Sequence, residues 1–514
     1  MPDNLGSFKV FCQGGLNTSR DVLSQGETSP GSAISLINYE PSVTGGYRRI
    51  SGFSNDYGTV GGTGNVLGVC VANGVNDGIL ACREPTSGNN YLHYWNTTTE
   101  AWVAVTTSGS PTMTGVTKVR FNKYNWGTPK VIMTDGVNPA STYDGTTYTQ
   151  ITDSNAPTAP KYATAHSEHM WLAGDSTYPT YLYFSAPNDE EDYGDTADLG
   201  SGFFNMGFEV VAIKPFRDTL YVFGTNNISK IVGSDRSDFG VVKITDNLGC
   251  MATDSVIEIG GDLLFLSQDG LRPISATDRI GDVNLETVSK DIQSIFTDIV
   301  FDTDLNGLNA VVVRQKSQFR YMFGGVDTQG IIGGYRETPN GLQFEYGQLL
   351  GITSTCADSG YIGQYEYVIH GSTDGKVHRQ EQGNDFDGEN IFSLFQTPFY
   401  HMQDPEQRKI FYSVATYLRS EGDNSIVMSV VYDYEDFATL NPSDFNLDTE
   451  GAAAYYNEAI YNSTAIYDGN PSPVQRTNIS GSGKSAAIRY VTNSADASHS
   501  VQGLVITFGT GDRL

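Results

Sequence analysis

The sequence predicts a mainly β protein: a β-propeller-like body of repeated antiparallel sheets, followed by a C-terminal β-sandwich-like domain. Three observations carry this expectation. Among 514 residues there are 57 Gly, 30 Tyr and 25 Phe, and sustained apolar patterns of helical period are rare, a composition that suits strands joined by tight turns. Asp-Gly pairs stand at 77–78, 135–136, 144–145, 269–270, 374–375 and 387–388, the dipeptide a short hairpin favours where the backbone takes positive φ. Finally, a short apolar strand running into a Gly- or Ser-containing turn recurs seven times between residues 65 and 382, centred on Cys70, Ile132, Leu172, Val222, Phe265, Met322 and Val368. The centres lie 62, 40, 50, 43, 57 and 46 positions apart, which suits four-stranded propeller blades of about 40 to 50 residues with variable loops. Stacked sandwiches also give many short strands, so the spacing leaves the number of blades open.

Taken in order, residues 1–64 read as an N-terminal arm with first strands that close the body, 65–398 as the propeller-like body, and 399–514 as the C-terminal β domain with a Tyr-rich insertion. Within the body one helix is expected after Ser289 as N-cap, with Asp291 in the first turn and Ile292, Ile295, Phe296 and Ile299 along one face. In the C-terminal part Ile426–Tyr432 and Val501–Phe508 read as buried strands. Between them Tyr-Asn or Tyr-Asp recurs at Tyr456, Tyr461 and Tyr467. The even spacing of the last two puts them on one face of an extended segment, as an aromatic ladder in a long hairpin or a contact surface at a tip or between subunits.

Composition narrows the function classes. Fifty-nine acids against 31 bases give a formal net charge of −28, the wrong sign for a protein that grips phosphates through Lys and Arg. Such a surface serves either solubility or a wall along which DNA slides without sticking. Five cysteines (Cys12, Cys70, Cys82, Cys250, Cys356) are odd in number and unclustered, which reads as reduced thiols in a cytosol-assembled protein. The first residues show no secretory pattern, and apolar runs such as 310–313 and 427–431 fall far below the roughly 20 residues of a membrane span.

Signals for chemistry are weak, and no catalytic, cofactor or metal residue is assigned. HExxH, GxSxG and CxxC are absent, and Gly483-Lys484-Ser485 has Asn478 where a phosphate loop needs its first glycine. His166 and His169 have HxxH spacing, but their flanks read as a strand, on which residues three apart face opposite ways. The alternating oxygens of 385–390 resemble a calcium loop without the acid at its twelfth position, where Gln396 stands; a hairpin turn is the plainer reading. The acidic run Asp189, Glu190, Glu191 and Asp192, followed by Asp195 and Asp198, reads as a solvated loop and, with the three tyrosines, is the candidate interaction surface.

Several stretches together resemble a known family. Gly14-Gly15-Leu16-Asn17, Gly31-Ser32-Ala33, Leu36–Pro41 and Gly45-Gly46-Tyr47-Arg48-Arg49-Ile50-Ser51-Gly52-Phe53 form an opening similar to that of the nozzle or tail-tube (head-to-tail stabilising) proteins of short-tailed phages. Met170–Gly174 with Leu182–Ser185, His370–Val377 through Phe386-Asp387-Gly388 to Gln407–Phe411, and Ser480–Ser485 with the ending 503–513 follow in the order that family shows. The resemblance implies a structural virion protein of the tail, assembled in the host cytoplasm as a homo-hexameric ring. It would continue the DNA channel below the portal or adaptor ring, meet tail fibres or spikes, and retain and then pass the genome without sequence-specific binding. It implies no catalytic residues. The rival is a receptor- or polysaccharide-binding propeller of the tail; a glycosidase is disfavoured because none of the four tryptophans (Trp95, Trp102, Trp126, Trp171) lies near a convincing acid pair in the sequence.

Overall fold

A computed structural model describes the chain except for residues 1–4, 87–90, 106–114, 195–199, 276–286, 303–304, 325–328, 339–340, 437–438, 449–472 and 511–514. Tyr456, Tyr461 and Tyr467 therefore lie outside the described residues.

The body is a β-propeller. Six self-contained antiparallel sheets and one sector of a larger sheet follow one another around a central axis. Blade 1 comprises Thr63–Val71, Ile79–Glu84, Leu92–Asn96 and Ala101–Ala104. Blade 2 spans Arg120–Asn125 to Tyr148–Gln150, blade 3 Tyr162–His166 to Gly202–Asn205, and blade 4 Ala212–Phe216 to Gly240–Thr245. Blade 5 has three strands, Ile257–Ile259, Asp262–Ser267 and Gly270–Pro273. The next sector, Asn309–Val313 to Gly341–Leu350, is one end of a nine-stranded sheet. A closing blade takes Cys356–Ile362, Tyr365–Gly371 and Val377–Gln380 and adds Phe53–Ser54 from the N-terminal segment as its outer strand, with Gln380 opposite Phe53.

Each seam between neighbours holds its own apolar cluster, which is what gives a ring of otherwise thin sheets its cohesion. Cys70, Leu80 and Cys82 meet Val131, Met133 and Tyr143 between blades 1 and 2; Trp171, Leu182 and Phe184 meet Ile213, Leu220 and Val222 between blades 3 and 4. The recurring unit of the sequence marks all seven sectors: six of its seven copies are second strands, and the first, at Cys70, is the innermost strand of blade 1. The glycines of these six Asp-Gly pairs take positive φ. At 385–390 Asp387 (φ 52°) and Gly388 (φ 94°) form the two-residue turn of a tight hairpin, with Phe386 N–H donating to Glu389 O at 2.8 Å, so the hairpin reading of that segment holds.

The helix is present as a short 3₁₀ turn, Lys290–Ile292, running into Gln293–Asp302, with Ile292 and Phe296 buried against the core. Ser289 departs from expectation: it is fully buried, makes no cap, and its Oγ accepts the N–H of Leu271 at 3.0 Å. The unpaired N–H at the edge of the incomplete blade 5 claims the hydroxyl first.

The C-terminal strands form two packed sheets, as the sandwich-like expectation held. The nine-stranded sheet continues from the propeller sector through Ser35–Ile37, Ile391–Gln396, Ala486–Ser494, Ser425–Tyr432 and Phe445–Asp448. The other sheet gathers Leu5–Phe11, Tyr39–Pro41, Tyr47–Arg49, Lys409–Ser420, Val474–Asn478 and His499–Thr510. Most strands of the N-terminal segment thus belong to these two sheets, and only Phe53–Ser54 joins the closing blade. Their shared core contains Val414, Leu418, Leu504 and Ile506 on one side and Met428, Val430, Ile488 and Tyr490 on the other.

Where the propeller sector meets the two sheets, one apolar cluster runs from Phe319 and Tyr346 to Tyr39, Tyr47 and Phe395, and buried ion pairs accompany it. Glu40 receives Arg48 at 3.1 Å, Lys316 at 2.7 Å and Arg320 at 3.5 Å. Arg320 and Lys316 also reach Glu381, at the end of the closing blade. Although burial works against ionisation, these two cations hold the Glu381 carboxyl down at about 2. Arg49, 1% exposed, donates to the carbonyls of Asp496 (2.6 Å), Ser494 and Ile391. Tyr47 Oη donates to Gly31 O at 2.7 Å and accepts the N–H of Gly15 at 3.0 Å. Gly15 (φ +64°) must be glycine, because a Cβ there would lie 2.6 Å from Tyr346 N.

Candidate functional site

Two concave regions of the propeller collect functional side chains. The first is the channel at its axis, where the innermost strands of every sector converge around a cavity of about 210 Å³. Lys118, Arg120, Lys214, Asp254 and Asp358 line it. Arg120 makes a bidentate pair with Asp254, both contacts at 2.9 Å, and Lys118 reaches the same carboxylate at 2.7 Å. Burial would raise the Asp254 carboxyl, but Arg120 and Lys118 hold it well below the usual range. Asp358 accepts Lys123 Nζ at 3.0 Å and the N–H of Val71 at 2.8 Å. Lys118 stands two residues before Arg120, the first residue of its strand, and both reach the same carboxylate; the pair is visible in the sequence within the acidic total.

The second region is an open groove of about 990 Å³ at the seam of blade 1 and the closing blade. Trp95 and Trp102 face each other across the hairpin of blade 1, 5.6 Å between ring centroids, and Tyr57 lies edge-on to Trp95 at 5.3 Å. Trp102 Nε1 donates to Tyr57 O at 2.6 Å, which fixes the indole. Across the groove the guanidinium of Arg379 sits 4.3 Å above the Tyr367 ring and 3.8 Å from Asp56. Asp56, Asp77 and Glu100 also line the groove. Asp77 is engaged by Thr97, whose N–H and Oγ1 donate to it at 2.7 and 2.9 Å, and Asp56 accepts Ser54 Oγ at 2.6 Å. Symmetric placement of Trp95 and Trp102 about 96–101 is the available signal; Tyr57, from a turn, and Tyr367, from a strand of the closing blade, come from distant parts of the sequence and leave none.

The remaining candidates fall as follows. Asp189 and Glu191 are exposed, but Glu190 is 5% exposed and pairs with Lys130 at 2.6 Å, tying blade 3 to blade 2. The run is therefore a built turn and only partly a solvated loop. Asp189 Oδ1 accepts Glu191 N–H at 3.1 Å, Asp192 Oδ1 accepts Gly194 N–H at 2.9 Å, and burial followed by Glu190 pushes the Glu191 carboxyl up. His166 and His169 occupy two strands joined by a turn at Ser167 (φ 49°) and Glu168 (φ 62°), and pair directly. Direct partners share a face, so the single-strand argument against their meeting does not apply. His169 Nδ1 is nevertheless engaged with Ser185 O, and no cluster of three metal-ligating side chains occurs among the described residues. The nest at 483–485 is filled by the protein itself: Lys484 and Ser485 N–H donate to Asp433 Oδ1 at 2.7 and 3.0 Å. All five cysteines are buried with thiols raised by burial, to about 11 for Cys250 and Cys356, and so are unreactive.

No protein-family model matches the chain, and no curated protein matches it. Among solved structures, the extracellular domain of a one-component system of B. thetaiotaomicron is similar over 66% of this chain at 14% identity and TM-score 0.40. The chain covers 41% of that structure's length. A computationally designed protein matches over 63% of this chain and 98% of its own length, at 9% identity and TM-score 0.32. An exo-β-1,3-galactanase of Phanerochaete chrysosporium, solved with galactose, matches over 75% of this chain and 95% of its own, at 8% identity and TM-score 0.27. The propeller assignment stands on this chain's own sheet order.

Proposed function

We propose that the chain is a structural subunit of a short phage tail, one copy of a homo-hexameric nozzle or tail-tube ring that continues the DNA path below the portal or adaptor. The observation that supports this reading most is an exposed apolar face on the outer side of the C-terminal sheet. Leu5 (56% exposed) and Ile410 (45%) both stand opposite Gly509, and Phe11 (72%) and Tyr417 (41%) both stand opposite Gly503. Direct cross-strand partners share a face, so these side chains form a patch across three adjacent strands made of two apolar pairs with Ser7 and Lys9 between them. Such a patch is suited to burial by a neighbouring copy. The stretches that resemble nozzle proteins add support where they adjoin the same sheets: Phe53 of 45–53 pairs with the closing blade, and within the C-terminal sheet 409–410 pairs with 482–483 and 503–509 with 5–11. The propeller's own channel, at about 210 Å³, is too small for a duplex whose major groove alone is about 12 Å wide. In this reading DNA follows the ring axis, lined by the acidic exterior.

The aromatic groove favours a second reading, a propeller that binds a receptor or polysaccharide. Two indoles and two phenols beside polar groups offer the flat apolar faces and fixed hydrogen bonds that sugar rings or peptides require. Mass photometry of the purified chain, alone and mixed with tail extract, separates the two. Six copies of a 55.8 kDa chain, about 335 kDa, are expected for the ring; persistent monomers that bind host glycans, with binding lost in Trp102→Ala, support the second reading and overturn the first.

A further inference from the structure

We propose that the axial cavity of the propeller is a binding site for a small oxyanion, with Lys214 as its principal contact and Arg120 and Lys118 beside it. This is independent of the ring. Three cations and two carboxylates line the cavity, and Lys123 stands just behind Asp358. Both carboxylates are already committed, Asp254 to Arg120 and Lys118 and Asp358 to Lys123 and the N–H of Val71. The positive excess therefore falls on Lys214, on the innermost strand of blade 4, whose side chain makes neither a hydrogen bond nor an ion pair among the described residues.

The groups that act on the Lys214 ammonium come from four neighbouring elements. Lys123 and Arg314 oppose its charge, while Asp358 and Glu258 favour it. Burial, reinforced by Lys123, pulls its pKa below the ordinary lysine value. A partly desolvated amine beside like charges is costly unless an anion answers it. A chain with formal net charge −28 has carboxylates in excess elsewhere, yet the two in this cavity are spent on other cations. The walls also offer neutral hydrogen-bonding groups of the kind that orient an anion: the Tyr162 hydroxyl, which accepts Thr253 Oγ1 at 3.1 Å, and the amide of Asn122.

The cavity's size limits the ligand to a free oxyanion such as phosphate or to the carboxylate of an acidic monosaccharide; the chemistry of recognition is the same. A divalent cation is disfavoured by the local excess of positive charge. Charge-assisted hydrogen bonds to an ammonium in a sheltered site supply the affinity.

Isothermal titration calorimetry of the full chain with inorganic phosphate, glucuronate and neutral glucose, at matched ionic strength with chloride, tests the proposal. Saturable binding of phosphate or glucuronate, with none of glucose, is expected; which of the two binds more tightly identifies the source. Lys214→Met is expected to weaken binding by at least ~10-fold, as loss of one charge-assisted contact does, and Lys214→Arg to retain most of it. If Lys214→Met does not fold, Lys214→Gln carries the same expectation, and ³¹P line broadening of phosphate by wild type reads binding directly. Absence of saturable binding to wild type, or equal affinity in wild type and a folded Lys214→Met or Lys214→Gln variant, overturns the proposal.

Discussion

The seams between blades 1 to 5 are mainly apolar, whereas the joint between propeller and C-terminal sheets adds a network of buried ion pairs to its apolar cluster. At the seam of blades 3 and 4, Trp171, Leu220 and Val222 are fully buried and make apolar contacts. At the joint, Arg49, Arg320, Glu40 and Glu345 are each 1% exposed, and they meet through ion pairs and carbonyls. Apolar contact is non-directional and scales with area; it lets successive blades vary in length and sequence while the ring still closes. Buried ion pairs gain little net stability but tolerate no change of partner. Apolar area thus holds both regions, and at the joint bonds with direction are added to it, which fix the propeller's orientation on the two sheets. That arrangement suits a subunit whose two parts must present fixed surfaces to neighbours in a ring.

The largest expected effect breaks the joint. Arg320→Ala leaves Glu40 and Glu381 buried with fewer cations and should cost about 3–5 kcal/mol in denaturant unfolding. Hydrogen exchange should show residues 309–350 and the C-terminal strands losing protection together. A smaller loss is expected at a seam: Val222→Ala removes two buried methyl groups for about 2 kcal/mol, with lost protection confined to blades 3 and 4. Equal spread in both variants would erase the distinction drawn here.

How much of this was legible in the sequence follows from the same contrast. The seams were, because each blade repeats an apolar strand and a turn within a short stretch; all seven centres from Cys70 to Val368 fall in separate sectors. The joint was not. Its strands Ser35–Ile37, Tyr39–Pro41 and Tyr47–Arg49 are three residues each, too short for any period, and their partners lie far away, as Leu36 opposite Phe395 shows. The Gly-Tyr-Arg-Arg stretch was noticed through resemblance, while its physical reason, Tyr47 and Arg49 binding distant backbone, needed the fold. In the candidate sites, the Trp95 and Trp102 pair and the Lys118 and Arg120 pair were readable locally. Lys214 was not, since a lone lysine carries no pattern and its meaning comes from what the other sectors fail to supply.

A further effect, of a size comparable with the seam variant's, is on the pH dependence of the joint. Glu381 has its carboxyl depressed from 4.5 to about 2, so the unfolded state binds more protons between these values. The stabilisation it provides is fully present above 4.5 and is lost as pH falls toward 2, with a slope on the order of 1 kcal/mol per pH unit. Glu381→Gln should flatten that part of the stability profile, measured by denaturant unfolding at stepped pH, whereas Val222→Ala should shift the profile without changing its slope.

The most direct test of the central claim is negative-stain electron microscopy of the purified chain, with and without tail extract. The ring reading predicts class averages with sixfold symmetry, a central hole wide enough for a DNA duplex, and six propeller densities held in one orientation. Single particles under both conditions, or rings whose hole is closed, would contradict it.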